Sequence, residues 1–330
     1  MNRRTYLTLF VGLGSATLAG CLDSVPGMDD EDAVEPADNF DSEAQRQADR
    51  DIRRAVGSLN KAAASLQAVE SQLEDPENVD FDAGEPTERI DDGREHLESA
   101  TAEATDDGRE DVAELRSYAD VLARLTDVTE TVADGDLEAD LETIQSDIEA
   151  REFEAARASL DDQQRDTEAA RDRLEPAFET LEELDRERLE SRDTVAIADL
   201  EAGAETLSTV LDGLEALETG FASIVTGYEH LDAGKHAFEE GGYKPAKGEF
   251  ETARGAFEDA SGAVEAGRTD APDGLVDHFE TASCRSTTLE SAATAYVDSA
   301  TAASDGDDAT ADDRWDDGEA LLEDADRCGE

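Results

Sequence analysis

Apolar residues along this chain recur at steps of three and four, and no alternating apolar–polar stretch of useful length occurs. That period marks amphipathic helices, so the chain reads as all-α. Ile52, Val56, Leu59, Ala63, Leu66 and Leu73 form the first stripe, on a helix starting near Phe40 to Ser42. Pro76 to Pro86, with Gly84, reads as a loop. A second helix carries Ile90, Leu97, Ala100 and Ala104 and breaks near Asp107-Gly108. A third runs from Val112 through Leu115, Tyr118, Leu122, Leu125 and Val132 to Asp134-Gly135. Leu137, Leu141, Ile144 and Ile148 continue the period, followed by Phe153, Ala156 and Leu160. Pro176 fits the first turn of a new helix, where its missing N–H costs little. Beyond it the stripe passes through Leu200, Leu207, Leu211 and Leu214 to Phe221, Val225 and Tyr228. The expected architecture is a bundle or coiled-coil array of long antiparallel helices, divided at Pro176 into 39–175 and 176–330.

A second period overlies the first. Gly213, Gly220, Gly227, Gly234, Gly241, Gly248, Gly255 and Gly262 recur every seven residues. An interior helical glycine costs about 1 kcal/mol relative to alanine, so a run in register calls for a compensating gain. A small-residue seam that lets a neighbouring helix approach closely supplies one. Gly241-Gly242 reads as a turn.

Charge narrows the field of functions. The 330 residues hold 87 Asp+Glu against 28 Lys+Arg, a net charge of −59. A protein that grips nucleic-acid phosphates needs a basic face, which this composition cannot supply. With 3 Cys and 4 His the chain is neither a disulfide-built scaffold nor a multi-zinc protein. Only four bases are lysines: Lys61, Lys235, Lys244 and Lys247. This acidic, lysine-poor, alanine-rich composition resembles that of proteins from salt-loving archaea. In molar salt the Debye length is about 3 Å, which screens most repulsion between surface carboxylates.

Asn2-Arg3-Arg4-Thr5-Tyr6-Leu7 precedes an apolar run from Leu7 to Leu18 that ends in Leu18-Ala19-Gly20-Cys21. An arginine pair before a short apolar run is the chemistry of an export signal. The run is too short to span ~30 Å of hydrocarbon as a helix. The segment resembles the twin-arginine signal of an exported lipoprotein. The resemblance implies a signal peptide over 1–20, cleavage before Cys21 and a lipid on its thiol. It further implies attachment to the outer face of the cell membrane. Residues 21–38, with Pro26, Gly27, Pro36 and a run of acids, read as a self-repelling flexible spacer. Once Cys21 is lipidated, Cys284 and Cys328 are the remaining thiols in an oxidising compartment, so a disulfide between them is expected.

Gly234, Phe238, Gly241, Tyr243, Ala246, Phe250 and Ala253 follow a further pattern: small residue, aromatic, glycine turn, aromatic, then Ala, aromatic, Ala. This resembles one tetratricopeptide repeat, with His230 where that family places a tryptophan. The resemblance implies an antiparallel helix pair with small residues at the crossing. No other stretch keeps a 34-residue period.

Residues able to carry chemistry are sparse. His230 and His236 lack the i, i+4 spacing of a helical metal pair, and His96 and His278 sit in an acidic background. The Asp-Gly-Asp groups at 134–136 and 305–307 lack the spaced acids and closing glutamate of a calcium loop. No nucleophile–base motif, phosphate loop or cofactor fingerprint occurs. The sequence therefore points to a non-catalytic, lipid-anchored surface protein that offers a helical interaction face to a protein partner, with no cofactor or metal. An extracytoplasmic small-solute or metal-binding lipoprotein is the alternative, and a structural stalk a third reading.

Overall fold

The computed structural model describes residues 37–70, 72–73, 79–135, 137–194 and 197–329. The signal residues Arg3, Arg4, Leu18, Ala19 and Gly20, the anchor Cys21 and most of the spacer lie outside these. The described chain is all-α: ten helices and no strand, packed side by side. They are α1 (Ala37–Glu70), α2 (Gly84–Thr101), α3 (Asp106–Ala133), α4 (Leu137–Ala150) and α5 (Phe153–Glu183). There follow α6 (Arg186–Glu190), α7 (Ile197–Glu239), α8 (Tyr243–Arg268), α9 (Val276–Asp305) and α10 (Asp308–Ala325). No helix among the described residues is long and apolar enough to cross a membrane.

Several boundaries differ from the periodic reading, each for a local reason. α1 begins at Ala37, so the last two residues of the expected spacer are already helical. Pro86 belongs to the first turn of α2, where a missing N–H is tolerated, rather than to a loop. The break between α2 and α3 falls at 102–105 instead of Asp107-Gly108. Thr105 caps α3, its hydroxyl accepting the Gly108 N–H at 3.2 Å, and this fixes the start.

The expected division at Pro176 is corrected in the same way. Pro176 lies inside α5, and 175 and 176 belong to one helix. An interior proline removes one helical hydrogen bond. Here Leu174, Ala177 and Leu181 are buried around it, and their packing holds the helix together. The core divides elsewhere. One apolar cluster joins α1, α2, α3, the second half of α5, α6 and the first half of α7, around Leu59, Leu97, Tyr118 and Leu207. A second joins α4, the first half of α5, the second half of α7 and α8 to α10, around Phe250, Phe257, Phe279 and Tyr296. α5 and α7 run through both, and Leu214 touches each cluster.

The glycine period has two different meanings. On α7 a side chain at Gly220 would meet Val264 at 2.8 Å, and side chains at Gly227 and Gly234 would overlap the rings of Phe257 and Phe250. Val264, Phe257 and Phe250 are themselves seven apart, so the antiparallel α7–α8 pair sets each large residue of α8 against a gap in α7. Gly213 plays the same part against Leu275 at 2.8 Å. Gly248, Gly255 and Gly262 on α8 meet nothing within 4 Å, so for them the seam is not found. Gly241, at φ +79°, takes the left-handed conformation that ends α7.

α9 and α10 also run antiparallel. The Ser299 hydroxyl donates to the Ala311 carbonyl at 2.8 Å, and Gly306, at φ +79°, makes the turn. Cys284 and Cys328 are joined by a disulfide with Cα atoms 5.9 Å apart, which ties the residues just beyond α10 to α9. At the far end of the molecule Arg188 of α6 donates to Asp111 and Glu110 of α3 at 2.9 and 2.6 Å. Arg192 adds a second bond to the same buried Asp111.

Candidate functional site

Two places in this fold depart from a dry helical bundle. The first is the α7–α8 turn. Gly241 and Gly242 return hydrogen bonds to Phe238 and Ala237, and Pro245 sits in the first turn of α8. Of the residues that resemble a tetratricopeptide repeat, Ala246, Phe250 and Ala253 are fully buried and Gly234 receives the Phe250 ring. Phe238 packs on Tyr243 with ring centres 5.0 Å apart. The local hairpin packing is therefore present. α7 alone is 43 residues long, however, more than a whole 34-residue repeat, so the element is a long hairpin rather than a repeat unit. His230, at the family's tryptophan position, meets Glu249 at 2.8 Å instead.

Beside this turn the rings of Phe238 and Trp315 lie 4.7 Å apart, and Tyr296 and Trp315 5.0 Å apart. Phe238, Tyr243 and Trp315 are half-buried, leaving part of each ring in solvent. Lys235 stands 4.9 Å over the Tyr296 ring and bonds Glu319 at 2.9 Å, while the Tyr296 hydroxyl donates to the same carboxylate at 2.7 Å. Burial works to raise the Glu319 pKa, but the Lys235 and Tyr296 hydrogen bonds outweigh it and hold the group below its ordinary value. Lys235, Lys244 and Lys247, three of the four lysines in the chain, lie within this turn region, and Lys244 is exposed. The turn is also remote from the start of the described chain. α1 runs beside α7 in the same direction, with Asn60 donating to the Asp193 carbonyl and Gln67 to Asp199. The start of α1 therefore lies off the beginning of α7, and the turn lies at its other end, about 65 Å away along the 43-residue helix.

The second place is a cleft at the waist, where the two apolar clusters meet. It has a volume of about 470 Å³ and is bounded by the end of α3, the start of α4, and the middles of α5 and α7. Glu218 of α7, 6% exposed, lines it and accepts the Thr167 hydroxyl of α5 at 2.7 Å. Loss of hydration raises the Glu218 pKa from its ordinary 4.5 to about 7. The Thr167 bond and Arg171 oppose this, while Glu215 and Glu168 add to it.

Compared with protein-family models, curated proteins and solved structures, the chain matches none.

Neither Glu218 nor Thr167 is among the residues that the sequence motifs single out, yet both leave a trace in the pattern. The α7 stripe steps from Leu211 to Leu214 and then skips to Phe221, and the position skipped is 218. On α5 the stripe Ala156, Leu160, Ala170, Leu174 omits two positions, which Gln163 and Thr167 fill. A carboxylate in a core position of a heptad is the signal for a buried polar site. Among the described residues no group of three or more His, Cys, Asp or Glu is placed to hold a metal ion.

Glu218 carries a pH prediction. Its folded-state pKa exceeds the unfolded one, so the native state holds the proton more tightly. The contribution of this group to stability is then greatest below about 4.5 and declines as the pH rises towards about 7. The loss amounts to about 3 kcal/mol at alkaline pH on the usual conversion. Glu218→Gln should recover most of it, and denaturant unfolding of wild type and variant should differ at pH well above 7 and converge in acid. Parallel curves at all pH values would show that this carboxyl titrates normally.

Proposed function

We propose that this chain is a non-catalytic, lipid-anchored cell-surface protein of a high-salt environment, which holds an interaction surface away from the membrane on long helices. The observation that carries the reading is the pairing of two ends. Arg3-Arg4, the apolar run and Leu18-Ala19-Gly20-Cys21 stand at one end of the chain. The only concentration of lysines lies at the other end of the bundle, beside the half-buried rings of Phe238, Tyr243 and Trp315. Aromatic rings with one face in water suit a protein contact. In a chain of net charge −59, a turn that holds three of the four lysines is also a place where repulsion of another acidic protein is reduced.

The test uses the full-length chain in its native membrane. Cys21→Ser should leave the protein unprocessed or release it from the membrane. Lys244→Glu combined with Lys247→Glu should abolish capture of a protein partner from solubilised membranes in high salt, with helicity unchanged. Normal cleavage and membrane retention of Cys21→Ser would defeat the anchor reading. Unchanged capture by the charge-reversed variant would defeat the reading of the turn.

A further inference from the structure

At the waist cleft a cavity, a buried ionisable group and a break in both helical stripes coincide. At this level of the bundle α3 has ended and α4 has begun, so only α5 and α7 pass straight through. The layer they share is polar, built from Gln163, Thr167 and Glu218, with apolar layers above and below. Glu218 is more than nine-tenths buried. Its Oε1 accepts the Thr167 hydroxyl, and its Oε2 accepts no hydrogen bond among the described residues. Oε2 is not a buried orphan but meets solvent in the cleft, where the donor of a bound molecule can take the place of water.

We propose that this cleft is a binding site for a small aliphatic amine, held as its ammonium ion. The inference is independent of the anchor and of the aromatic turn. Among the described residues no lysine, arginine or histidine lines the cleft, whereas Asp134, Asp140, Asp166 and Glu218 do, which disfavours an anion by charge. The described residues offer no metal-ligand cluster, so a bare divalent ion has no cage. Among the described residues no aromatic ring lines the walls, so they form no cage of the kind that suits a quaternary ammonium. A primary ammonium brings three donors and needs acceptors rather than rings. The free Oε2 of Glu218 and the side-chain oxygen of Gln163 are such acceptors. Leu211 and Leu214, on the same face of α7 as Glu218, offer an apolar wall for a short methylene chain. The volume of about 470 Å³ lies in the range of small-molecule pockets.

A purely structural role for the polar layer, fixing the register of α5 on α7, needs only the Thr167–Glu218 bond and predicts no ligand. The experiment separates the two. The full-length chain in detergent is titrated calorimetrically with n-hexylamine, and in parallel with n-hexanol and n-hexanoate, in molar salt where the Debye length is about 3 Å. That salt suppresses counter-ion adsorption on the acidic surface. The pH lies above the titration of Glu218 and below that of the amine. Saturable binding of one n-hexylamine per chain is expected, with none for the alcohol or the acid.

Glu218→Gln should weaken the binding about tenfold or more, as loss of a charge-assisted hydrogen bond requires. Asp162→Asn, an exposed carboxylate of α5 paired with Arg165, should leave it unchanged. Asp140→Asn, on the rim of the cleft, gives a second reading should Glu218→Gln lose helicity, and a severalfold loss is expected there. Equal binding by wild type and Glu218→Gln, equal uptake of alcohol and amine, or the absence of saturable binding would each overturn the proposal.

Discussion

In dilute buffer the chain should lose most of its helical circular dichroism, and it should recover the signal as salt is raised to molar concentration. Even if each of the 28 basic residues neutralised one acid, 87 − 28 = 59 carboxylates would remain without a cation. Two such charges 10 Å apart repel by roughly 0.4 kcal/mol in water without screening. On the order of a hundred such pairs outweigh the 5–15 kcal/mol by which a typical domain is stable. The Debye length is about 30 Å at 0.01 M salt, so repulsion reaches across the bundle, and about 3 Å at 1 M, so it is confined to near neighbours. The unfolded chain repels itself too, but with its charges farther apart, so the balance still moves against the fold. The core gives limited resistance because alanines such as Ala55, Ala62, Ala100, Ala253 and Ala292 fill many of its positions. Helicity that stayed constant from 0.01 M to 1 M salt would refute the claim that screening holds this protein together.

The legible part of this fold was the part that repeats. Three-and-four spacing identifies α3 because its stripe is long and unbroken over several turns, and it follows α7 from Leu200 to Tyr228, while α8 shows through the tetratricopeptide-like pattern from Tyr243 to Ala253. It fails at Pro176, where a local rule about proline yields to the burial of Leu174, Ala177 and Leu181. It fails at Gly108 because the start of α3 is set by the cap at Thr105, one polar side chain with no periodic signature. The candidate sites divide in the same way. The α7–α8 turn carries a local motif of glycines, proline and aromatics, so the sequence points straight to it. The waist cleft is made by residues 51 apart, Thr167 and Glu218, whose meeting depends on the register of two long helices. What the sequence does hold is two matching gaps in the stripes of α5 and α7. Their significance follows only once the helices are known to pair.

That register makes a prediction in which one substitution has opposite effects on two partner helices. Gly227→Ala and Gly234→Ala should each destabilise the protein, whereas Gly248→Ala, Gly255→Ala and Gly262→Ala should each stabilise it. All five exchange a helical glycine for the best helix former, a change that favours the helix by about 1 kcal/mol where space allows. On α8 space does allow, since an added methyl at 248, 255 or 262 meets nothing within 4 Å. The triple variant should gain about 3 kcal/mol if the effects add. On α7 the methyl would enter the rings of Phe257 and Phe250, both fully buried and hemmed in by the second core. Neither ring can swing aside, so α7 and α8 must separate. Overpacking of this kind costs about 1–3 kcal/mol per site and sometimes more, enough to cancel the helix gain and exceed it. The two together should lower stability by several kcal/mol on the same grounds. Adding Phe257→Leu to Gly227→Ala should restore part of the loss by reopening the slot, a coupling that a change in helix propensity alone cannot produce. Denaturant midpoints at constant m-value, taken in molar salt, read all of these. A gain of stability at Gly227 or Gly234, or a loss at all three α8 positions, would mean that the large residues of α8 do not sit over the glycines of α7.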